Sequence, residues 1–330
     1  MKNQRITLHD IASLAGVTPM TVSRYLRTPE KVTTETSQRI AAVIKELGYL
    51  PDQDNPQIAS QTTARIGVLI PSFHNQIFPG LLAGIESVIG NTGFKTVVVS
   101  YDYDADREEE QIAALLAMQV KGLILSESTH TVRAEKYLKA ATIPVAEVMG
   151  NQYQPGRICV GFDNHQAGFD MTQLLLSRGR QNIIYFGSMS DLRDQQRFAG
   201  YCAAMQQAGR PSGQITPNKI SSVSIGNGMM ALARHKYPDV DGILCTNDDL
   251  AVGVLQECLQ SGVKVPQQLS IAGFHGLEIG QVTPLKLASV ITPRFEIGKA
   301  VAEIMLQKIA GQSPEIHLDL HYQLSAGETL

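Results

Sequence analysis

Residues 7–26 contain the feature that most constrains this chain, two short helical patterns separated by a single turn. The first pattern is stopped by Gly16, which tolerates the left-handed conformation of a tight turn between helices. Thr7 and Thr18 stand where the two helices would be capped, and Pro19 occupies a first helical position, where its missing N–H costs nothing. This arrangement predicts a helix-turn-helix, whose second helix enters the major groove of DNA.

The second helix is predicted to have one face for the protein core and one for DNA. Val22, Tyr25 and Leu26 fall on the inward face. The outward face carries short hydroxyl groups that suit phosphate oxygens, and Arg24, whose guanidinium can contact O6 and N7 of guanine. The predicted DNA contacts in this region are Thr7, Thr18, Pro19, Met20, Thr21, Ser23, Arg24, Lys31 and Thr33. A helical hairpin of some other domain is the alternative interpretation.

A third helix, predicted from about Thr34 to Leu47, would complete a small head domain. Its apolar stripe consists of Ile40, Val43, Ile44 and Leu47. Residues 1–50 carry seven Lys or Arg and four Asp or Glu, a net charge of +3, whereas the whole chain has a net charge of −3. A basic head on an acidic body confines the attraction for phosphates to one end of the chain. Residues 51–64 are then expected to be a hinge or linker.

From Arg65 onward, continuous apolar strands alternate with amphipathic helices. Such strands are typical of a parallel sheet covered by helices on both faces. The repeats are too many for one ordinary sheet, so two doubly wound subdomains are predicted, with a ligand cleft between their strand carboxyl ends. The predicted strands are 66–70, 96–100, 122–126, 143–149, 158–162, 182–187, 242–246, 269–274 and 287–291, and the later helices are 134–141, 166–178, 195–208, 248–261 and 295–310.

Several classes of protein are disfavoured by composition and motifs. The amino end lacks the apolar core of a signal peptide, and no run approaches the roughly 20 apolar residues of a membrane helix, so a cytoplasmic protein without membrane contact is expected. The four cysteines lack metal-binding spacing, and the histidines lie in separate segments. Neither a G-x-S-x-G elbow nor a glycine-rich phosphate loop follows a strand. We therefore expect no enzyme activity, metal or cofactor.

Across essentially its whole length, the sequence resembles the lactose-repressor/galactose-repressor (LacI/GalR) family. The resemblance is carried by TLHDIASLAGVTPMTVSRYL, LGYLP, IGVLIPS, DN at 163–164, RFAGY, TNDDLAVG and VPQQLSIAGF. Shorter stretches, namely TPMTVSRYLR, EVMG, VGFDN, CTNDDLAVG, AGFHGLEIGQ and ITPR, are similar to the gluconate- and idonate-operon regulators of that family.

The resemblance implies an α/β fold with three parts. These are a three-helix helix-turn-helix head (residues 1–50), a hinge (51–64) and a periplasmic-binding-protein-like core (65–330). The first core subdomain would comprise residues of about 65–162 and 293–311, and the second those of about 163–292 and 312–330.

In the hinge, the resemblance implies a short helix that inserts Ile58, with Ala59 beside it, into the minor groove of the operator. Family hinges are commonly basic, whereas Asp52, Asp54 and Pro56 here add negative charge and restrict the backbone. A flexible linker is therefore the alternative interpretation of this segment.

The resemblance also implies a set of effector-binding residues. These are Phe73, Asn75, Phe78, Ser126, Glu127, Met149, Phe162, Arg197, Asn247, His275, Thr292 and Arg294. His275 stands where many sugar-binding members have an aspartate, and Arg294 where they have an uncharged residue. Both departures make the cleft more positive and favour an acidic ligand over a neutral sugar.

The implied function is that of a homodimeric repressor that reads a near-palindromic operator. Its effector would be a sugar acid such as gluconate, idonate or a ketogluconate. An activator or dual regulator of the same genes, and a repressor that responds to a neutral sugar, remain open. A periplasmic-type sugar-binding protein and an enzyme with a regulatory head are disfavoured by the helix-turn-helix and by the lack of catalytic motifs.

Overall fold

The head is built from three helices and a short turn of 3₁₀ helix, in a computed structural model that describes residues 8–47, 63–188, 191–217 and 219–330. The chain separates into two units, Met1–Thr63 and Ala64–Leu330. The elements of the head are α1 (Leu8–Ala15), α2 (Pro19–Arg27), the 3₁₀ turn (Pro29–Lys31) and α3 (Thr34–Leu47). The predicted contacts Thr7, Ile58 and Ala59, and most of the predicted hinge, lie outside the described residues.

The turn between α1 and α2 forms as its residues predict. Gly16 adopts the left-handed conformation with φ of +64°. Thr18 caps α2, since its Oγ1 accepts a hydrogen bond from the Thr21 N–H at 3.2 Å. The core of the head consists of Ile11, Ala12, Ala15, Val22 and Ile40, against which Leu8, Val17, Tyr25, Leu26, Val43 and Ile44 pack. The predicted inward face of α2 is therefore confirmed.

The second unit contains two six-stranded sheets. Its first elements are β1 (Arg65–Ile70), α4 (Ile77–Ile89), β2 (Lys95–Ser100), α5 (Ala105–Ala117), β3 (Gly122–Leu125), α6 (Val132–Ala140), β4 (Val145–Val148) and β5 (Ile158–Gly161). The next elements are α7 (Asn164–Ser177), β6 (Ile183–Phe186), α8 (Leu192–Gln207), β7 (Gln214–Ile215), α9 (Val223–Lys236), β8 (Gly242–Cys245), α10 (Asp248–Gln260), β9 (Ser270–His275), α11 (Glu278–Gln281) and β10 (Ala288–Ile291). The last are α12 (Arg294–Ile309), β11 (His317–Asp319) and β12 (Gln323–Ser325).

The two sheets have matching strand orders. The first sheet runs β11-β5-β4-β3-β1-β2 and the second runs β12-β10-β9-β8-β6-β7. The described pairings are parallel, apart from the antiparallel pair of β10 with β12. Two doubly wound parallel-sheet subdomains are therefore present, as predicted.

One predicted boundary is wrong. The sequence assigns residues of about 312–330 to the second subdomain, but β11 pairs in parallel with β5 of the first sheet. The pairing extends beyond the strand, since Cys159 N–H donates to Ile316 O at 2.6 Å and Leu320 N–H donates to Gly161 O at 2.7 Å. The chain therefore crosses between the sheets three times, at residues 162–163, 292–293 and 320–322.

Helix pairs within each subdomain approach each other at glycines. A Cβ atom on Gly84 of α4 would overlap Phe295 O of α12, and one on Gly298 of α12 would overlap Leu81 O of α4. The same reciprocal arrangement joins α7 to α8 and α9 to α10. Backbone therefore packs against backbone, and no side chain larger than a hydrogen atom fits at these positions.

No helix in the described part of the chain is long and apolar enough to cross a bilayer.

Candidate functional site

The outward face of α2 lies at the surface of the head. The Met20 side chain is 71% exposed, whereas Val22 is fully buried. Arg24, Lys31 and Thr33 are exposed as well. The Thr18 Oγ1 lies 2.9 Å from the Thr21 Oγ1, and Thr33 Oγ1 donates to Thr36 Oγ1 at 2.9 Å. The exposed face of α2 thus presents the apolar Met20 side chain in its first turn and the Arg24 guanidinium in its last turn, and both remain predicted DNA contacts.

A cavity of about 130 Å³ lies between the strand carboxyl ends of the two sheets. Six of the predicted effector residues line it, namely Asn75, Phe78, Met149, Arg197, Asn247 and His275. The other six lie elsewhere. Phe73 is 58% exposed, and Phe162 is buried with its ring stacked on Phe274. Ser126, Glu127, Thr292 and Arg294 lie behind the lining, in contact with residues that form it.

Arg197 is held rigidly in the cavity wall by residues of the second subdomain. Its Nε donates to Asn164 Oδ1 at 2.9 Å, and its Nη1 donates to Thr246 O at 2.8 Å. The guanidinium carbon lies 4.0 Å from the centre of the Phe274 ring, within the range of a cation–π contact. Burial lowers the pKa of Arg197, but a guanidinium stays protonated in proteins. Its partners in the described part of the chain are reached by Nε and Nη1, so Nη2 is available to a ligand.

His275 ends β9 in a conformation that few residues adopt. Its φ is +98°, and the side chain is almost fully buried. Nε2 lies 3.2 Å from Arg197 Nη1, and Nδ1 lies 3.2 Å from Thr292 Oγ1. Burial and the nearby guanidinium of Arg197 hold the pKa of His275 well below its usual range. The imidazole is therefore neutral and does not add the positive charge that the sequence suggested.

Arg294 begins α12 and contacts the end of β9 instead of lining the cavity. Its Nη1 donates to His275 O and, at 3.3 Å, to Thr292 Oγ1. It also faces Asp248, which accepts hydrogen bonds from Leu277 N–H at 2.5 Å and Ser289 Oγ at 2.7 Å. Burial raises the pKa of Asp248 to about 7. Arg294 is thus placed to hold the backbone of His275, which lines the cavity.

A cross-subdomain ion pair borders the cavity. Arg193, in the first turn of α8, lines the cavity and places its Nη2 2.6 Å from Oε1 of Glu127, which follows β3. Although burial acts to lower the pKa of Arg193, the carboxylates of Glu127 and Asp191 raise it. The second subdomain therefore contacts the first through a charged pair.

Sequence reasoning missed several lining residues. They include Ser72, His74, Tyr103, Asp191, Arg193, Thr246 and Asp249. Most of these residues follow a strand or begin a helix. Their position just after the predicted strand ends is the sequence signal that could have identified them. Tyr103 also has a positive φ, a property that it shares with the correctly predicted lining residues Met149 and His275. Such strained backbone concentrates at functional sites, but sequence does not reveal it.

Comparison with known families matches both units. The description "Bacterial regulatory proteins, lacI family" matches residues 7–52. The description "Periplasmic binding proteins and sugar binding domain of LacI family" matches residues 63–321. The two matches together cover most of the chain.

Individual relatives agree with these matches. The chain is 48% identical to the HTH-type transcriptional regulator IdnR of Escherichia coli strain K12 and 44% identical to the HTH-type transcriptional regulator GntR of the same strain, with all of each chain covered. A crystal structure of a LacI family transcriptional regulator from Silicibacter pomeroyi superposes with a TM-score of 0.88 at 33% identity, covering 98% of this chain and 99% of that one. The chain therefore belongs to the LacI family of bacterial transcriptional regulators.

Proposed function

We propose that this regulator is a homodimeric repressor that binds operator DNA through its head and is controlled by a sugar acid bound in the cleft. The choice of an acidic effector is supported by one observation, the presence of two guanidinium groups in one small cavity. Arg193 and Arg197 both line it, and among the described residues Arg197 Nη2 has no hydrogen-bond partner, so a ligand oxyanion can accept from it. Arginine binds carboxylates through paired hydrogen bonds, which a neutral ligand cannot accept as strongly. Gluconate, idonate and the ketogluconates carry this carboxylate.

The rest of the lining suits the hydroxyl groups of such a ligand. Asp191 and Asp249 offer carboxylates that accept hydrogen bonds from hydroxyls, and Asn247 offers an amide beside them. His275, as a neutral imidazole, adds a polar group without a net charge. Phe78 and Met149 cover the apolar side of the carbon chain. The resemblance to gluconate- and idonate-operon regulators supports the same chemical class.

On the DNA side, the head supplies the predicted contacts of Thr18, Pro19, Met20, Thr21, Ser23, Arg24, Lys31 and Thr33. The exposure of Thr18, Met20 and Arg24, and the burial of Val22 on the opposite face of α2, support a helix that is free to enter the major groove. The proposed contacts of Thr7, Ile58 and Ala59 rest on the resemblance. The two heads of a dimer would read two half-sites of a near-palindromic operator.

Effector binding is tested by thermal unfolding of the full chain with gluconate, idonate, 5-ketogluconate, glucose and glucitol. A ligand that binds only the folded state adds about 2.7 kcal/mol at 100 times its Kd. We expect the acids to raise the unfolding temperature and Arg197→Lys to abolish the increase, because lysine lacks the forked geometry. Stabilisation by glucose or glucitol alone would favour the neutral-sugar alternative, to which the carboxylates of Asp191 and Asp249 are also suited.

Regulation is tested by DNA binding in the presence of the stabilising ligand. We expect the ligand to weaken operator binding, and operator DNA to weaken ligand binding by the same factor. A reporter gene behind the operator, measured with and without the regulator, separates a repressor from an activator. Increased transcription with the regulator present would contradict the repressor proposal.

A further inference from the structure

Arg193 belongs to the second subdomain but makes its shortest contacts with the first. Its Nη2 lies 2.6 Å from Glu127 Oε1, and its Nη1 donates to Ser126 O at 3.0 Å. On its own subdomain, Asp191 Oδ2 is more distant, 3.6 Å from Nη2. The guanidinium therefore bridges the two subdomains at the wall of the cavity.

Glu127 is held against Arg193 at a site where a carboxylate is poorly solvated. The side chains of Glu127 and Arg193 are only 14% and 11% exposed. The same Oε1 accepts a hydrogen bond from the Tyr101 hydroxyl at 3.0 Å. Arg193 lines the cavity, whereas Glu127 lies behind it. A carboxylate from the protein thus occupies a guanidinium that a ligand carboxylate could reach from the cavity.

We propose that Glu127 is an internal substitute for the effector carboxylate, which takes its place on Arg193 and breaks the ion pair between the subdomains. This inference rests on the proposed function, since it requires an acidic effector in this cleft. The exchange replaces one carboxylate by another, so the guanidinium keeps a charged partner throughout. A neutral sugar offers no such replacement, and Arg193 therefore selects acids.

The exchange also explains how effector binding can change the conformation of the protein. A ligand shifts a conformational equilibrium only through contacts that differ between the two states. Here the effector removes the Glu127–Arg193 pair, a contact that joins the first subdomain to the second. Ligand charge is thereby coupled to the arrangement of the subdomains.

The test measures D-gluconate and D-glucitol binding to the full chain by isothermal titration calorimetry. The two ligands differ only in the carboxylate or hydroxymethyl group at C1. Glu127→Gln removes the competing charge while keeping the size of the side chain, and we expect it to tighten gluconate binding about tenfold. Arg193→Gln should weaken gluconate binding about a hundredfold, because the partner of a buried charge is lost. Glucitol binding should not improve in Glu127→Gln.

The double variant Glu127→Gln/Arg193→Gln tests whether Glu127 and the ligand carboxylate compete for Arg193. If Glu127 acts only by occupying Arg193, its substitution has no effect on gluconate once Arg193 is absent, so the double variant should match Arg193→Gln. Arg107→Gln is the matched control, because it removes an ion pair to Asp102 whose side chains are 58% and 60% exposed. Circular dichroism without ligand verifies that each variant is folded.

The outcomes separate this inference from the proposed function. Wild-type binding of gluconate together with weaker or unchanged binding in Glu127→Gln would overturn the inference, because the pair would then clamp the cleft around the ligand. It would leave the sugar-acid regulator intact. Failure of gluconate, idonate and 5-ketogluconate to bind the wild type would reject the acidic effector and the inference with it. If Arg193→Gln does not fold, the sign of the Glu127→Gln effect still decides.

Discussion

His275 and Arg197 meet in the cavity wall, with the imidazole Nε2 3.2 Å from the guanidinium Nη1. Because arginine nitrogens only donate hydrogen bonds, Nε2 must accept, and the proton of the neutral imidazole then lies on Nδ1, directed at Thr292 Oγ1. The pair therefore fixes both the charge and the tautomer of His275. Protonation would set two cations side by side in a buried site.

This relationship predicts a loss of stability in mild acid. The folded pKa of His275 lies well below the ordinary value, chiefly through burial and then through Arg197. The unfolded chain therefore takes up a proton as the pH falls below about 6.5, while the folded chain does not. The free energy of unfolding is therefore independent of His275 protonation above that pH, and it falls below that pH because only the unfolded chain gains the proton. The test is urea denaturation between pH 7 and 5. Over this range, the unfolding free energy of His275→Gln should fall less steeply than that of the wild type. The exposed His235→Gln should retain the wild-type slope, and equal slopes in all three proteins would refute the assignment.

His130 predicts a pH dependence of the opposite sign. Although burial acts to lower its pKa, the hydrogen bond of Nδ1 to Glu108 at 3.1 Å and the Glu147 carboxylate 3.6 Å from Nε2 raise the pKa of His130 to about 9. Its stabilising contribution is complete below about pH 6.5 and is lost as the pH rises toward 9, a change on the order of 3 kcal/mol. Urea denaturation between pH 6 and 9 should therefore show a steeper loss for the wild type than for His130→Gln. A wild-type curve that stays flat over this interval would show that His130 is not charged in the folded chain.

Arg24 and Lys31 should differ in what they read on DNA. Arg24→Ala is expected to relax sequence preference, costing roughly 1 to 3 kcal/mol at one base pair of the operator. Lys31→Ala should weaken binding to all sequences about equally and reduce the salt dependence, as loss of a phosphate contact does. Both are measured by titrating labelled operators, each with one base pair changed, at two salt concentrations. A uniform loss for Arg24→Ala would make it a phosphate contact.

Two helical glycines should respond in opposite directions to the same substitution. Gly84→Ala places a Cβ against the Phe295 carbonyl oxygen, so α4 must separate from α12, and we expect a loss of about 2 kcal/mol or more. A Cβ on Gly228, in α9, meets nothing within 4 Å, and alanine there should stabilise by up to about 1 kcal/mol. Thermal and urea unfolding of the two variants provide the comparison. Equal effects would contradict the close approach of α4 and α12.

The head could be predicted from sequence because its determinants are local. Capping by Thr18, the left-handed Gly16 and the burial of Val22 each depend on neighbours within one turn or one helix. Both sheets could also be predicted, since buried parallel strands are continuously apolar. The helix Val223–Lys236 was not foreseen, because Gly226 and Gly228 weaken a pattern that Met229, Met230 and Ala233 otherwise complete.

The missed features depend on contacts that are distant in sequence. The short strand His317–Asp319 is assigned to the first sheet only by its pairing with residues near Cys159. Arg193 is one of several charged residues at the start of α8, and nothing nearby in sequence shows that it extends to Glu127. The neutral state of His275 likewise depends on burial by distant segments of the chain and on Arg197, 78 residues away. The departures from the family pattern at His275 and Arg294 predicted a more positive cleft, whereas the positive groups that line the cavity are Arg193 and Arg197.

The reciprocal glycines have a consequence for motion. Where backbone packs directly against backbone, no layer of side chains lies between the helices to rearrange as they slide. We therefore expect each subdomain to move as a rigid body, with its helix pairs locked. Any change in the angle between the subdomains must then be absorbed by torsions in three short connections, residues 162–163, 292–293 and 320–322. These few peptide units would act together as the hinge of the core.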